Sequence, residues 1–143
     1  MKVKDIMTRT VIPIHPEESV EVAARKLERY NIGILPVCGN DGNICGVVTD
    51  RDLITRCVAA NRSASETRIR EVMTGQVLSV NPDMELSAAA HLMGRSQVRR
   101  LPVTEKGKLC GMLSLGDIAS QEESVMDAAD ALSEITSNIS DGF

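Results

Sequence analysis

Apolar and polar positions along this chain form two blocks in which the same patterns occur in the same order. Each block opens with a short apolar run of strand length, at residues 11–14 and 77–80. A stretch with apolar residues at positions i, i+3, i+4 and i+7 follows, which is typical of a helix with one buried face. These positions are Val20, Ala23, Ala24 and Leu27 in the first block and Leu86, Ala89, Ala90 and Met93 in the second. Two further strand-like runs and a second short helix complete each block.

The two blocks are copies of one unit. Residues 3–38 align with residues 69–104 at a constant offset of 66 (73 minus 7), and beyond a shortened turn the offset is 65 (111 minus 46). The aligned pairs include Met7-Thr8 with Met73-Thr74, Pro16 with Pro82, Leu35-Pro36-Val37 with Leu101-Pro102-Val103, and Cys45-Gly46 with Cys110-Gly111. We therefore predict a tandem duplication of a β-α-β-β-α unit.

The predicted architecture belongs to the α/β (α+β) class, with one unit at residues 1–62, a second at residues 63–122 and a tail at residues 123–143. A small three-stranded sheet is only marginally stable alone, so we expect the two sheets to pack on each other about a pseudo-twofold axis. The tail is expected to form an amphipathic helix that covers a surface of this chain or of a second one. Its apolar stripe is Val125, Ala128, Ala129, Leu132, Ile135 and Ile139.

Composition argues against several functional classes. Tyr30 and Phe143 are the aromatic residues, the net charge is -4, and no cluster of Lys and Arg occurs, so nucleic acid is not an expected partner. No run approaches the roughly 20 apolar residues of a membrane helix, and residues 1–10 lack the apolar stretch of a secretory signal. We expect a cytoplasmic protein with no membrane contact. The cysteines form no CxxC pair and the histidines stand alone, so a metal site is not expected.

A hydroxyl residue and a carboxylate, with two residues between them, recur at the junction between the last strand and the last helix of each unit. These pairs are Thr49 with Asp52 and Ser114 with Asp117. One interpretation is a capping box, in which the hydroxyl and the acid satisfy backbone groups of the first helical turn. The other is a nucleoside phosphate site, in which the carboxylate accepts hydrogen bonds from a ribose diol and the helix N-terminus faces the phosphate. The motif alone is compatible with both.

The sequence resembles the tandem CBS-domain pair, or Bateman module, in the form of a stand-alone CBS domain-containing protein. The resemblance covers residues 3–120 and rests on motifs that occur twice in the same order. They are DIMT and EVMT at residues 5–8 and 71–74, Pro16 and Pro82, LPV at 35–37 and 101–103, and GVVTDRD and GMLSLGD at 46–52 and 111–117.

The resemblance implies two equivalent clefts between the copies and an adenosine-containing ligand: AMP, ADP or ATP, with S-adenosylmethionine or NAD as further possibilities. It also implies a homodimer. The acids Asp52 and Asp117 would hold the ribose, and Thr49 and Ser114 would approach the ribose or phosphate. The adenine would lie against Val11, Ile12, Ile34 and Pro36 in the first copy and against Val77, Leu78, Arg100 and Pro102 in the second. Candidate phosphate ligands are Arg51, Arg99 and Arg100.

Three functions are compatible with these patterns. The favoured one is a regulatory, ligand-sensing module that acts on its own dimer or on a protein effector in trans. The alternative is a structural, dimerisation or protein-interaction module without a bound nucleotide. An enzyme is least favoured, because the sequence offers no Ser/His/Asp or Cys/His set and no paired acids of a catalytic site. Since Leu115-Gly116 replaces Asp50-Arg51, and Arg99-Arg100 replaces Gly33-Ile34, we expect the two clefts to bind unequally.

Overall fold

A computed structural model describes the backbone of residues 1–141, with side chains described up to residue 137 except that of residue 122. The last two residues of the predicted tail, Gly142 and Phe143, and the side chain of Ile139 lie outside this part. The described chain forms two compact units. One consists of Met1–Thr10, Leu78–Lys106 and Cys110–Phe143, and the other of Val11–Val77 and Gly107–Leu109. We call them the C-unit, which holds the second repeat, and the N-unit, which holds the first.

Each repeat contains a long helix, an antiparallel hairpin and a short helix, so the predicted α+β class is confirmed. The N-unit has α2 (Val20–Tyr30), β1 (Ile34–Cys38), β2 (Ile44–Thr49) and α3 (Asp50–Leu53), which continues as a π-helical turn, Ile54–Val58. The C-unit has α4 (Leu86–Ser96), β3 (Arg100–Glu105), β4 (Lys108–Ser114), α5 (Leu115–Ala119), a 3-10 turn (Glu122–Ser124) and α6 (Val125–Asp141). Two short helical segments open the repeats, α1 (Val3–Ile6) and a 3-10 turn at Ile69–Glu71.

The predicted first strand of each repeat is wrong in extent. Residues 11–14 and 77–80 each make a single parallel bridge, Ile14 with Val37 and Val80 with Val103. In the N-unit, Ile14 N donates to the Pro36 carbonyl at 2.9 Å and Cys38 N donates to the Ile14 carbonyl at 3.0 Å. Extension of the parallel ladder back toward residue 12 would need a hydrogen bond from the N–H of residue 36, which proline lacks. Pro102 has the same position in the C-unit, so the LPV proline stops the ladder after one residue in both repeats.

The opening segment of each repeat packs in the unit of the other repeat. Residues 1–10 belong to the C-unit, where Thr8 pairs with Met112 of β4. Thr74 correspondingly pairs with Val47 of β2 in the N-unit. A glycine makes each contact possible, because a Cβ at Gly46 would lie 2.8 Å from the Thr74 carbonyl oxygen. A Cβ at Gly111 would lie 3.0 Å from that of Thr8. The repeated Met-Thr and Cys-Gly motifs therefore meet each other in space.

Helix α2 has the ends that its sequence favours. Ser19 caps its start by accepting from Val22 N at 3.2 Å, and Asn31 ends it in the left-handed region with a φ of 52°. Ala23 is buried as predicted, whereas Ala24 is exposed, contrary to the prediction. The equivalent Ala90 of α4 is buried because α6 packs on α4 in the C-unit. The i+4 position of the predicted apolar face is thus buried only where a further helix covers it.

The tail forms α6, and the surface that it covers belongs to its own chain. It packs against α4 and α5, with Ala128, Ala131 and Ile135 buried. Gly94 allows the close approach, because a Cβ there would lie 3.0 Å from the Ala131 Cα atom. The predicted stripe is partly wrong: Val125, Ala129 and Leu132 are exposed, and Ala131 takes their place in the buried face.

Each unit has its own apolar core. The larger core of the C-unit includes Val3 and Met7 of the opening segment, Met93 of α4, Leu113 of β4 and Ile135 of α6. None of the helices in the described part of the chain has the length and apolarity that crossing a membrane requires.

Candidate functional site

The two hydroxyl and carboxylate pairs form capping boxes. In the N-unit, Asp52 N donates to Thr49 Oγ1 at 3.1 Å and Thr49 N donates to Asp52 Oδ2 at 3.0 Å. In the C-unit, Asp117 N donates to Ser114 Oγ at 3.0 Å and Ser114 N donates to Asp117 Oδ2 at 3.1 Å. The capping-box interpretation is confirmed in both repeats. Each carboxylate therefore has one oxygen committed to its own backbone and one that is not used by the cap.

The second carboxylate oxygen differs between the repeats. Oδ1 of Asp52 lies 3.9 Å from Nε of Arg56, whose Nη1 donates to the carbonyls of Val72 at 3.1 Å and Met73 at 3.0 Å. The position of Arg56 is occupied by Gln121 in the second repeat (56 plus 65). Among the residues whose side chains are described, none donates a hydrogen bond to Oδ1 of Asp117. The Asp52 carboxylate thus has an arginine of its own unit near the outer limit of ion-pair distance, whereas no such cation lies beside Asp117 among the residues whose side chains are described.

A cavity of about 670 Å³ lies wholly within the C-unit, beside the start of α5. Its polar wall consists of Arg99, Arg100 and Ser114. Its apolar wall consists of two groups, Leu115, Gly116 and Ala119 on α5 and Val125, Ala128, Ala129 and Leu132 on α6. This volume is within the range of about 300–1,000 Å³ that small-molecule sites occupy. Because both guanidinium groups are exposed and carry a permanent charge, the cavity suits an anion with an apolar body.

Comparison with known proteins identifies the family of this chain. The family model of the CBS domain matches residues 3–59 and 69–124. The chain belongs to the CBS domain family. Its resemblance to a tandem CBS-domain pair, predicted from the repeated motifs, is confirmed.

Related CBS proteins cover nearly the whole chain. The CBS domain-containing protein YhcV of Bacillus subtilis is 37% identical over 134 residues, which is 94% of each chain. Hypoxic Response Protein I, solved with two coordinated zinc ions, has a TM-score of 0.78 at 29% identity and covers 85% of this chain and 98% of its own. The CBS domain pair of protein MJ0100, solved in complex with 5′-methylthioadenosine and S-adenosyl-L-methionine, has a TM-score of 0.74 at 28% identity, with coverages of 84% and 94%.

Three of the residues predicted for the CBS ligand site come together in the cavity: Arg99, Arg100 and Ser114. Asp117 lies on the same short helix as Leu115 and Gly116 and is half-buried, but it is not a lining residue. The other predicted residues of the second CBS domain are also outside the lining. Pro102 is buried in β3, Val77 is half-buried, and Leu78 is 38% exposed.

The predicted residues of the first CBS domain lie in the N-unit. Thr49 and Asp52 form the capping box, and Arg51 is exposed on α3. Pro36 is buried in β1, and the remaining apolar candidates are half-buried, namely Val11, Ile12 and Ile34.

The four lining residues on α6 were not predicted as site residues. The tail sequence did show an apolar stripe, and Val125, Ala128, Ala129 and Leu132 all belong to it. The missing information was which surface the stripe faces, because periodicity defines a helix face but not its partner.

The cysteines are thiols without a disulfide partner. Burial raises the pKa of the Cys38, Cys45 and Cys110 thiols, which keeps them protonated at neutral pH. Within the described part of the chain, no group of three or more His, Cys, Asp or Glu side chains is placed to hold a metal ion.

Proposed function

We propose that this CBS domain pair is a regulatory sensor that binds AMP, ADP or ATP in the cavity of the C-unit. CBS-domain proteins are typically regulatory rather than catalytic, and a CBS domain pair fits a regulatory ligand-binding module. One observation carries the finer proposal: Arg99, Arg100 and Ser114 line a cavity of about 670 Å³ whose remaining lining residues are apolar.

Each part of a nucleotide has a matching group at this site. A guanidinium binds phosphate oxygens through two parallel hydrogen bonds, so Arg99 and Arg100 are the phosphate ligands. Ser114 Oγ accepts from Asp117 N, which leaves the hydroxyl hydrogen free to donate to the ligand. Asp117 does not line the cavity but follows the lining residue Gly116 on α5, so its Oδ1 is the acceptor for a ribose hydroxyl only if the ribose extends along α5 beyond the lining residues. The apolar side chains of α5 and α6 pack on the purine.

The charge of the cavity favours phosphorylated ligands over S-adenosylmethionine. That ligand carries a positive sulfonium, which two nearby guanidinium groups would repel. The complex of MJ0100 with 5′-methylthioadenosine and S-adenosyl-L-methionine supports the adenosine part of the proposal, since both ligands contain it. NAD contains two phosphates and an adenosine and remains in the set of ligands to be tested.

The proposal also places the stronger ligand site in the second repeat. Asp52 of the first repeat is engaged by Arg56, which is in turn bonded to two backbone carbonyls. A ribose at that position would have to compete with an arginine of the protein itself. Asp117 has no such competitor in the described residues, and the arginines Arg99 and Arg100 are on its unit.

A thermal-shift screen tests this proposal on the full chain with AMP, ADP, ATP, S-adenosylmethionine and NAD. A ligand at 100 times its Kd adds about 2.7 kcal/mol of stability, which raises the Tm by roughly 5–11 °C. Loss of one charge-assisted bond of about 1.5–3 kcal/mol in Arg100→Gln weakens binding about 10- to 150-fold.

The matched control is Arg95→Gln, which removes an exposed arginine of the same unit that does not line the cavity. The expected result is a shift with the phosphorylated ligands that Arg100→Gln reduces to about half or less and that Arg95→Gln keeps. Absence of a shift with every ligand contradicts the proposal. An equal loss in both variants contradicts the assignment of the phosphate to Arg100.

The alternative of an interaction module is supported by an exposed apolar surface on the N-unit. Ile54 is 59% exposed and Val58 is 69% exposed, one helical turn apart on the π-helical segment. In the C-unit, α6 covers the helices α4 and α5, whereas the corresponding part of the N-unit has no such helix. We propose that a second copy of this chain covers Ile54 and Val58, which makes the module a homodimer.

Light scattering after size-exclusion chromatography tests the homodimer. Ile54→Glu is expected to give a monomer, because burial of the apolar side chain on association would be replaced by burial of a charge. Thr55→Glu, at the exposed neighbouring position, is the control and is expected to remain a dimer. A wild-type monomer at all concentrations would contradict this part of the proposal.

A further inference from the structure

The C-terminal helix α6 is both a wall of the cavity and a part of the core of its unit. Its buried side chains are small apart from one, namely Ser124 just before the helix, Ala128, Ala131 and Ile135. Gly94 brings α4 close to Ala131. Since apolar stabilisation scales with the buried area and most of the buried α6 side chains are small, further side chains of α6 that a ligand buries would add to the stability of the docked helix.

A second face of α6 carries apolar side chains that its own unit leaves uncovered. Val125 is 46% exposed, Leu132 is 43% exposed, and Ala129 between them is also exposed. Their spacing of i, i+4 and i+7 places them on one side of the helix, and all three line the cavity. Arg99 and Arg100 line the same cavity.

We infer that α6 is the ligand-responsive element of this chain: a nucleotide held at Arg100 packs on Val125, Ala129 and Leu132 and thereby fixes the helix on its unit. This inference rests on the proposed function and assigns the regulation of the same cavity. A ligand that touches both walls binds more tightly when α6 is in place. By linkage it stabilises the docked helix by the same factor.

The response is restricted to the second repeat. After the π-helical turn of the first repeat, the chain continues through residues 59–68, which form turns and bends without a helix. An N-unit ligand would therefore meet no equivalent wall. The C-unit cavity is therefore the site of this module at which a bound nucleotide would change how firmly α6 is held on the protein surface.

Hydrogen–deuterium exchange of the full chain, with and without saturating AMP or ATP, tests the inference. Peptides that cover α6 are expected to exchange more slowly with the nucleotide present, while peptides that cover α2 serve as the internal reference. Unchanged exchange of α6 at saturation would overturn the inference.

Two tryptophan substitutions supply the second arm. Ala129→Trp places a large side chain in the cavity and is expected to weaken nucleotide binding about tenfold or more. Ser137→Trp adds the same side chain to an exposed position of α6 that does not line the cavity, and is expected to bind as the wild type does. Folding of both variants is checked by circular dichroism. A third variant, Leu132→Ser at a half-exposed position, removes an apolar contact instead of filling the cavity, and it is also expected to weaken nucleotide binding.

The outcomes separate this inference from the proposed function. Nucleotide binding that Arg100→Gln abolishes but Ala129→Trp leaves intact would overturn the role of α6 and leave the nucleotide site standing. If no nucleotide binds the wild-type chain, both proposals fall.

Discussion

Replacement of Gly46 by alanine tests the crossed packing of the opening segments. The new Cβ would lie 2.8 Å from the carbonyl oxygen of Thr74 and 2.8 Å from Sδ of Met73. The methionine sulfur is able to move, but the carbonyl is fixed because Val47 N donates to it at 3.0 Å and Thr74 N returns a bond to Val47 O at 2.8 Å. The segment must therefore shift or lose these bonds.

The expected cost is that of a tightly packed site forced to accept an extra carbon, about 1–3 kcal/mol. For a chain of this size, 1 kcal/mol corresponds to about 2–4 °C in Tm, so we expect Gly46→Ala to lower the Tm by roughly 2–12 °C. Calorimetry or thermal melting followed by circular dichroism measures this shift.

Gly75→Ala is the matched control. It lies one residue beyond the same segment, has no neighbouring heavy atom within 4 Å of an added Cβ, and has no positive φ. We expect its Tm to be unchanged or slightly raised, since alanine restricts the unfolded chain more than glycine does. Equal melting of Gly46→Ala and wild type would refute the reasoning, because it would show that residues 73 and 74 do not rest on β2.

Two further predictions concern titratable groups. Two groups lower the pKa of Glu71: the backbone N–H of Arg68, which donates a hydrogen bond to the carboxylate, and the Arg62 guanidinium. The ionised carboxylate therefore stabilises the folded protein above the ordinary glutamate pKa of 4.5, and this contribution is lost as the pH falls through the lowered pKa. Glu71→Gln is expected to be less stable than wild type at neutral pH, and urea titrations should show the difference closing in acid; a constant difference would contradict this. A chromogenic disulfide is expected to label the exposed Cys45 before the buried Cys57, and equal labelling rates would contradict the burial of Cys57. Labelling of Cys45 is expected to accelerate with pH to above the ordinary thiol pKa of 9.0, because the thiolate is the reactive form and desolvation raises the pKa of Cys45.

The sequence predicted the duplication and the elements of the fold because these depend on local periodicity. Val20, Ala23 and Leu27 of the predicted α2 face are buried, as their spacing alone indicates. The extent of the first strands was wrong because it depends on hydrogen bonds to a distant segment, where Pro36 and Pro102 withhold the donor. Because the LPV motif contains this proline, the sequence could have predicted that a parallel partner strand would be cut short beside it.

The crossed opening segments and the docking of α6 could not be read from local pattern. The two openings, VKDIMT at residues 3–8 and IREVMT at residues 69–74, have the same pattern of apolar and charged positions, so the local pattern does not decide which opening packs with which repeat. Of the residues that line the cavity, the sequence had offered Arg99 and Arg100, which precede the second LPV motif, and Ser114 of the hydroxyl and carboxylate pair as candidates. It did not identify the lining residues on α6, because their place in the cavity depends on the packing of α6 against α4 and α5. The difference between Asp52 and Asp117 depends on Arg56, a residue whose partner is set by tertiary contacts.

The most direct test of the central claim is isothermal titration of the wild-type chain, Asp117→Asn and Asp52→Asn with AMP. The account predicts that the stronger site belongs to the second repeat. Asp117→Asn should then lose most of the affinity, while Asp52→Asn should bind nearly as the wild type does. Two equal and independent sites in the wild type, or loss of binding only in Asp52→Asn, would contradict it.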